Sequence, residues 1–159
     1  MIAQVFTKQN RALYFFLSLL FGLGTHGLQA QKGPVNTKRG LAVQGYDVVS
    51  YFNGKAQKGT SDYTVKWEGN TYQFTSAEQR DAFKTNPDKF LPQYGGYCAY
   101  AMAVKGNKVP VNPETFEIRN GKLYLFYNKW INNTLESWLE EGPEKLVGQA
   151  DKNWKSHLK

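Results

Sequence analysis

The sequence predicts a small single domain of the α+β class, and three observations predict it. Two β-hairpin patterns occur along the chain, and each is followed by a stretch with apolar residues at helical spacing. The length that remains after an N-terminal leader suits one domain with a single core. We therefore predict two β-hairpin-plus-helix (ββα) units with a C-terminal helical region, connected by residues 92–113.

The two predicted ββα units resemble each other in sequence. In each half the helix is followed by proline, an acid, lysine and an apolar residue, at Pro87–Phe90 and at Pro143–Leu146. A duplication explains this similarity, and so does the general sequence pattern of ββα units. Both explanations predict the same architecture.

Residues 1–30 have the features of a secretory signal peptide. Lys8 and Arg11 form a short basic region, and residues 12–23 are almost wholly apolar. Ala30 offers the small residue that signal peptidase prefers before the cleaved bond. The apolar run is shorter than the roughly 20 residues of a membrane-spanning helix. We therefore predict cleavage, and a periplasmic or secreted protein with no stable membrane span.

The mature chain is predicted to begin with a flexible leader. Residues 31–40 are polar and contain glycine and proline, which predicts a segment that drapes over the domain or stays loose. The domain itself is predicted to span residues 41–159. Near its start, Asp47–Phe52 is rich in β-branched and aromatic residues, and we predict a strand there that ends at the Asn53-Gly54 turn.

The first hairpin is predicted at residues 63–74, where apolar and polar residues alternate on both sides of a turn. The sequence from Thr75 to Glu78 has the form of a capping box, which predicts that a helix begins there. Asn86-Pro87 ends this helix and begins another short turn of helix.

The second hairpin is predicted at residues 115–126, because Asn120-Gly121 supports the positive φ angles of a tight turn. Asn128 is predicted to cap a helix that runs to Glu141. This prediction rests on apolar residues at helical spacing, namely Trp130, Ile131, Leu135, Trp138 and Leu139. Gly142-Pro143 is predicted to end that helix and begin the last one.

Residues 62–91, with Val43-Gln44-Gly45-Tyr46 before them, resemble a YHS domain. That family typically has a Val-Cys-Gly-Met segment, a hairpin that ends in Tyr-Tyr-Phe, a Cys-x-x-x-Cys helix start, and Asn/Asp-Pro-x-Lys-Tyr. The chain matches the scaffold at Thr71–Phe74, Phe83 and Asn86–Phe90. With residues 92–101 included, the mature chain is similar to the secreted, single-cysteine branch of the family.

The resemblance implies a small binding module, and in part a metal-binding one. Family members with the full cysteine set are regarded as metal-binding or metal-sensing modules, often near copper and other heavy-metal transport. In this chain Gln44, Thr75 and Gln79 stand where the family often has cysteine. Amides and hydroxyls are poor ligands for soft metals compared with thiolates, so the metal role does not transfer to these positions.

The composition predicts no catalytic constellation. Histidine occurs only at His26, in the signal peptide, and at His157, close to the C-terminus, so no nucleophile has a positioned imidazole base. No glycine-rich phosphate loop occurs, and the spacing of the carboxylates selects no acid–base pair. The basic residues of the mature chain are scattered, which indicates a solvated surface and argues against nucleic-acid binding.

The candidate site lies in the connection between the two halves, where the chain has its only cysteine. If this stretch is helical, Cys98 and Met102 lie on one face, and their sulfur atoms suit Cu(I). The candidate ligand-binding residues are predicted to form an aromatic, hydroxyl-lined pocket around the thiol, namely Cys98, Tyr94, Tyr97, Tyr100 and Tyr46. Gly95-Gly96 would allow close approach of the backbone.

Three hypotheses follow for function. The first is a non-enzymatic binding domain that holds a soft metal ion, with copper as the candidate, or a small ligand near Cys98. The second is a structural or protein-interaction domain, with an envelope protein as partner and with Cys98 buried and inert. The third is a thiol-redox protein, which ranks last because the sequence offers neither a resolving cysteine nor a nearby charged activator.

Overall fold

A computed structural model describes residues 33–158. The predicted signal peptide lies outside the described residues. The strands are β1 Thr37–Lys38, β2 Leu41–Ala42, β3 Thr60–Trp67, β4 Asn70–Phe74, β5 Asn112–Arg119, β6 Lys122–Phe126, β7 Asn128–Lys129 and β8 Asn132–Asn133. The α-helices are α1 Ala77–Thr85, α2 Pro87–Phe90, α3 Ala99–Lys105, α4 Thr134–Glu141 and α5 Pro143–Trp154. Short 3₁₀ turns cover Val43–Gly45, Ser50–Asn53, Gln93–Gly96 and Lys155–His157.

The architecture is a small α+β domain, as the sequence predicts. One sheet has the strand order β1-β2-β4-β3, the second hairpin β5-β6 forms a separate sheet, and β7-β8 form a third, minimal one. Both predicted hairpins are present, and the second begins at Asn112, three residues earlier than predicted. No helix within residues 33–158 is long and apolar enough to cross a membrane.

The connection between the halves runs beside the second hairpin. Isolated parallel bridges join Pro92 to Leu123 and Cys98 to Leu125. The buried side chains form two groups, and the first includes Leu123 and Leu125 of the second hairpin. The first group surrounds Phe74 and Phe83, and the second surrounds Met102, Phe126 and Trp138. The connection therefore lies at the boundary between the two groups, because Cys98 belongs to the first and Met102 to the second.

Residues 33–40, predicted as a leader that drapes over the domain or stays loose, lie against the domain. Thr37–Lys38 pairs antiparallel with β2. Asn36 is buried, its backbone N–H donates to the carbonyl of Gly95, and its side-chain amide donates to the carbonyl of Gly96. These long-range hydrogen bonds attach the segment to the central connection.

The predicted strand at Asp47–Phe52 is wrong. The segment forms a turn followed by the 3₁₀ helix Ser50–Asn53. The cause is the buried Asp47 side chain, whose Oδ1 accepts the backbone N–H groups of Val49 and Ser50 at 2.9 and 3.3 Å. A carboxylate that binds its own downstream backbone favours a turn over an extended strand.

The first helix begins one residue later than the predicted capping box. Ser76 is the N-cap, and its hydroxyl accepts the N–H of Gln79 at 3.3 Å. Thr75 is occupied elsewhere, because its N–H and its hydroxyl both donate to Asp47 Oδ2 at 2.8 Å. Thr75, which the capping box predicted as the N-cap, therefore stabilises the turn at Asp47 instead of the helix start.

The predicted helix from Asn128 to Glu141 is also wrong in its first part. Asn128–Asn133 forms the β7-β8 hairpin, and α4 begins at Thr134 with Asn133 as its N-cap. Trp130 and Ile131 lie at the hairpin tip, and Trp130 is 90% exposed. Leu139 is also exposed, so helical spacing alone did not identify the buried face, on which Trp138 lies.

Candidate functional site

The central connection has an unusual backbone. Tyr94, Gly95 and Gly96 have φ angles of 54°, 60° and 80°. A β-carbon on Gly95 would overlap the carbonyl oxygen of Pro34, so glycine is required there by the close approach of the leader. Close backbone approach therefore occurs at Gly95, and the group that approaches is the chain's own leader, whereas side chains surround Gly96.

Cys98 is fully buried at the N-terminus of α3. It is the N-cap residue, and its sulfur accepts the N–H of Ala101 at 3.5 Å. The sulfur also lies 3.3 Å from the hydroxyl oxygen of Thr134. That hydroxyl donates to the carbonyl of Tyr127 at 2.8 Å, so its single hydrogen is used and the thiol is the donor to Thr134. The thiol is therefore paired within the protein both as donor and as acceptor.

A cleft of about 350 Å³ lies directly outside this thiol. Its surface is mostly aliphatic and aromatic, with contributions from the end of α3, from the loop that follows, and from the β7-β8 hairpin. The lining includes Tyr100, Ala101, Val104, Val109, Tyr127 and Thr134. Cys98 stands in its wall but has no exposed surface, so a ligand in the cleft would meet these side chains before the sulfur.

Met102 does not join Cys98 at this cleft. It is fully buried in the second core group, and it is not among the residues that line the cleft. The i,i+4 rule applies to two helical residues. Cys98 has φ −57° and ψ 117°, outside helical geometry, so its side chain does not follow the face on which Met102 lies.

The four candidate tyrosines do not converge on the thiol. Tyr94 donates its hydroxyl hydrogen to Asp151 at 2.9 Å, Tyr100 to Glu141 at 2.6 Å, and Tyr46 to Glu114 at 3.1 Å. The Tyr97 hydroxyl contacts the carbonyl of Val35 at 3.5 Å. Of these residues, Tyr100 alone lines the Cys98 cleft. The predicted aromatic pocket is therefore distributed over several packing contacts, and one tyrosine of it belongs to the cleft.

The tyrosine environments favour the neutral phenol. Burial, followed by the nearby charge of Asp151 and the hydrogen bond to it, raises the pKa of Tyr94. The hydrogen bond to Glu141 is the main cause that raises the pKa of Tyr100. Because a tyrosine near a carboxylate resists ionisation, these hydroxyls act here as hydrogen-bond donors.

At two of the three positions where YHS domains often have cysteine, Gln44 and Thr75, the side chain makes a structural hydrogen bond. Gln44 donates its side-chain amide to the carbonyl of Val111 at 2.8 Å. Thr75 donates to Asp47, and Gln79 donates its backbone N–H to Ser76. Among residues 33–158, no three or more His, Cys, Asp or Glu side chains are grouped to hold a metal ion.

Sequence reasoning found Cys98 but missed the partners that define its environment. Thr134 is the contact of the thiol, and it lies 36 residues away. Two further residues of the cleft are also distant in sequence: Val109 lies in the loop before β5, and Tyr127 directly follows β6. The available signal was the single cysteine itself, since no local motif links it to Thr134. Comparison of the chain with family models, with curated proteins and with solved structures finds no match.

Proposed function

We propose that the protein is a non-enzymatic binding domain of the YHS type, exported to the periplasm or beyond, that takes a small, mainly apolar ligand in the Cys98 cleft. One observation carries the proposal, namely the apolar cleft of about 350 Å³ in which helix α3, the following loop and the β7-β8 hairpin meet. Its volume lies at the small end of the range for ligand pockets, about 300–1,000 Å³.

The chemistry of the lining favours an organic ligand over an ion. Val104, Val109 and Ala101 offer aliphatic surface, and Tyr100 and Tyr127 offer aromatic surface. Polar groups are few, with Asn107, Asn132 and the Lys105 side chain at the cleft. This composition, mostly apolar with a few polar groups that orient the ligand, is typical of small-molecule sites.

The YHS assignment is supported by where its scaffold residues lie. Tyr72, Phe74, Phe83 and Phe90 are buried together in the first core group, and Tyr72 stacks on Phe83 with ring centroids 5.1 Å apart. The residues that carry the resemblance therefore form a single packing unit, as residues of a shared scaffold should.

A binding experiment with matched variants tests the cleft. NMR titration with indole and with 1-hexanol is expected to shift amide signals of residues 98–109 in a saturable way. Val104→Asp is expected to weaken binding at least tenfold, because it places a charge in the apolar surface. Ile118→Asp is the control, since Ile118 is an aliphatic residue of similar exposure outside the cleft. Equal binding by the two variants would contradict the proposal.

Cu(I) titration of the same protein tests the metal hypothesis at Cys98. Saturable binding that Cys98→Ser removes would favour a metal over an organic ligand, because serine lacks the soft sulfur donor. Equal Cu(I) binding by both proteins would contradict a metal site at this thiol.

The second candidate function is a protein-interaction domain with an inert Cys98. Two observations favour it: Cys98 is 0% exposed, and Trp130 and Ile131 present apolar surface at the β7-β8 tip. Exposed tryptophan is typical of interaction surfaces. Under this function, Trp130→Ala would abolish partner capture from an envelope extract, whereas Val104→Asp would leave it unchanged.

A further inference from the structure

A second cavity, of about 440 Å³, lies at the start of the domain. It is bordered by the β1-β2 turn, the Val43–Gly45 turn, the segment before β3 and the start of β5. Its polar lining consists mainly of Lys38, Arg39, Lys58, Gln44, Tyr46 and Glu114. It shares no lining residue with the Cys98 cleft, so it is a separate site.

The cavity has an excess of positive charge among the residues that the structure describes, with three cations and the carboxylate of Glu114 in its lining. Lys38, Arg39 and Lys58 all line it, and among residues 33–158 no carboxylate lies within 4.0 Å of their charged nitrogens. Arginines elsewhere in the described chain do have such partners: Arg80 pairs with Asp81, and Arg119 pairs with Glu117 and Glu144. Three cations around one concave surface attract and hold an anion.

Neutral polar groups of the cavity are held in place by the fold. Gln44 is fixed by its hydrogen bond to the Val111 carbonyl, and Tyr46 by its hydrogen bond to Glu114. Among residues 33–158, Glu114 is the one acidic residue that lines the cavity. Because its carboxylate would repel an anionic group, the ligand must present a hydrogen-bond donor on that side.

The backbone that borders the cavity adopts conformations that side-chain-bearing residues rarely take. Arg39, Val43 and Gln44 have φ angles of 54°, 49° and 56°. Val43 is β-branched and fully buried, so its positive φ is a true outlier. Arg39 has this conformation in the two-residue β1-β2 turn, as Asn120 has in the β5-β6 turn, so the strain argument rests on Val43. Strain of this kind persists where the surrounding structure enforces it, and it is found at ligand sites among other functional sites.

We propose that this cavity binds a phosphomonoester whose organic part carries a hydroxyl or ammonium group. The phosphate interacts with Lys38, Arg39 and Lys58, and the donor group of the organic part interacts with Glu114. A phosphate dianion matches this excess of cations better than a carboxylate does, and Arg39 offers the paired N–H groups that suit phosphate oxygens. The volume admits a small metabolite or a lipid headgroup.

Calorimetric titration tests the proposal with glycerol 3-phosphate, inorganic phosphate and sodium sulfate as probes. Glycerol 3-phosphate is expected to bind most tightly and inorganic phosphate more weakly, because the latter lacks a hydroxyl-bearing organic part for Glu114. Arg39→Gln and Lys58→Gln are each expected to weaken glycerol 3-phosphate binding roughly tenfold or more, as loss of a charge-assisted hydrogen bond does. Lys66→Gln is the control, since Lys66 is exposed on β3 and does not line the cavity.

Glu114→Gln tests whether Glu114 recognises the organic part of the ligand, in addition to the attraction between the phosphate and the three cations. It is expected to tighten binding of inorganic phosphate and to reduce the preference for glycerol 3-phosphate over it. Vesicles of phosphatidic acid, compared with phosphatidylcholine, distinguish a lipid headgroup from a free phosphomonoester. Binding to either source that Arg39→Gln weakens and Lys66→Gln does not supports the proposal. No binding, or equal binding of sulfate and glycerol 3-phosphate, overturns it.

Discussion

The Cys98 sulfur and the Thr134 hydroxyl oxygen lie 3.3 Å apart, and this contact joins the N-cap of α3 to the first residue of α4. Both residues are buried, and the Thr134 hydroxyl donates a hydrogen bond to the carbonyl of Tyr127. The thiol, the hydroxyl and the carbonyl therefore form a short chain of hydrogen bonds that closes the inner wall of the cleft.

The first prediction concerns the reactivity of Cys98. In the native protein the thiol is expected to react with a disulfide reagent at least 100-fold more slowly than in urea-unfolded protein, because the buried sulfur must first be exposed by local opening. Thr134→Val is expected to speed labelling and to lower the free energy of unfolding by about 1 kcal/mol, through loss of the hydroxyl contacts. Thr85→Val is the control on an exposed helix end. Native labelling at the unfolded rate would contradict the buried site.

The second prediction concerns Asp47, which organises the turn before the first hairpin. Its carboxylate accepts hydrogen bonds from Val49, Ser50 and Thr75, and the residue is fully buried. Asp47→Asn is expected to lower the free energy of unfolding by about 1–3 kcal/mol, because an amide nitrogen cannot accept the hydrogen bonds made to one oxygen. Urea denaturation measures this change.

The matched control for Asp47 is Asp62→Asn, at an exposed position in β3. Its effect is expected to stay within about 0.5 kcal/mol. Similar losses in both variants would show that general charge balance, rather than the Asp47 turn, is responsible.

The sequence predicted the elements whose determinants are local. Asn120-Gly121 marks the second hairpin because the turn geometry depends on those two residues alone. The turn at Asp47 was missed although part of its cause is local, since Asp47 Oδ1 accepts the backbone N–H groups of Val49 and Ser50. Only the contacts of Oδ2, with Thr75 28 residues later, lie beyond local sequence. The same long-range contact moved the helix start from Thr75 to Ser76.

In the candidate site, too, local features were predicted and long-range contacts were missed. Cys98 was identified from composition, because it is the only thiol in the chain. Its pairing with Met102 was an inference from helical spacing, and the structure has Cys98 as the cap before the helix and the two residues in different groups of buried side chains. The true neighbours of the cleft, Thr134 and Tyr127, come from the other half of the chain, and only tertiary packing brings them there.

The third prediction contrasts two tryptophans that the sequence placed on one helix. Trp138 is fully buried, and its Nε1 donates to Glu117 at 2.9 Å. Trp138→Ala is expected to lower the free energy of unfolding by about 3–5 kcal/mol. Trp130 is exposed, and the Lys129 ammonium lies 4.8 Å from the centroid of the Trp130 ring. Trp130→Ala is therefore expected to change the free energy of unfolding by about 0.5 kcal/mol or less.

Thermal and urea denaturation of these two variants measure the contrast. Trp130 is the internal control, since both substitutions remove the same side chain. If Trp130→Ala lowered the free energy of unfolding as much as Trp138→Ala does, the exposed position of Trp130 at the β7-β8 tip would be wrong.

The last prediction concerns alkaline pH. Burial is the largest cause that raises the pKa of Tyr51, Tyr72 and Tyr94, and nearby acidic groups add to it. In the unfolded chain a tyrosine ionises near pH 10, at its ordinary pKa. Above that pH the unfolded state loses protons that the folded state retains, so the free energy of unfolding falls as pH rises. The stabilising contribution is complete below about pH 10.

We therefore expect cooperative unfolding between pH 10 and the higher folded-state pKa values, with tyrosinate absorbance and loss of near-ultraviolet circular dichroism changing together. Tyr72→Phe is expected to shift the transition to higher pH, because it removes one group whose ionisation favours the unfolded chain. Tyr63→Phe is the matched control, since Tyr63 is only partly buried on the neighbouring strand β3. Ionisation of all the tyrosines near pH 10 without loss of structure would contradict this prediction. The pKa values of the buried tyrosines would then be the same in the folded and the unfolded protein.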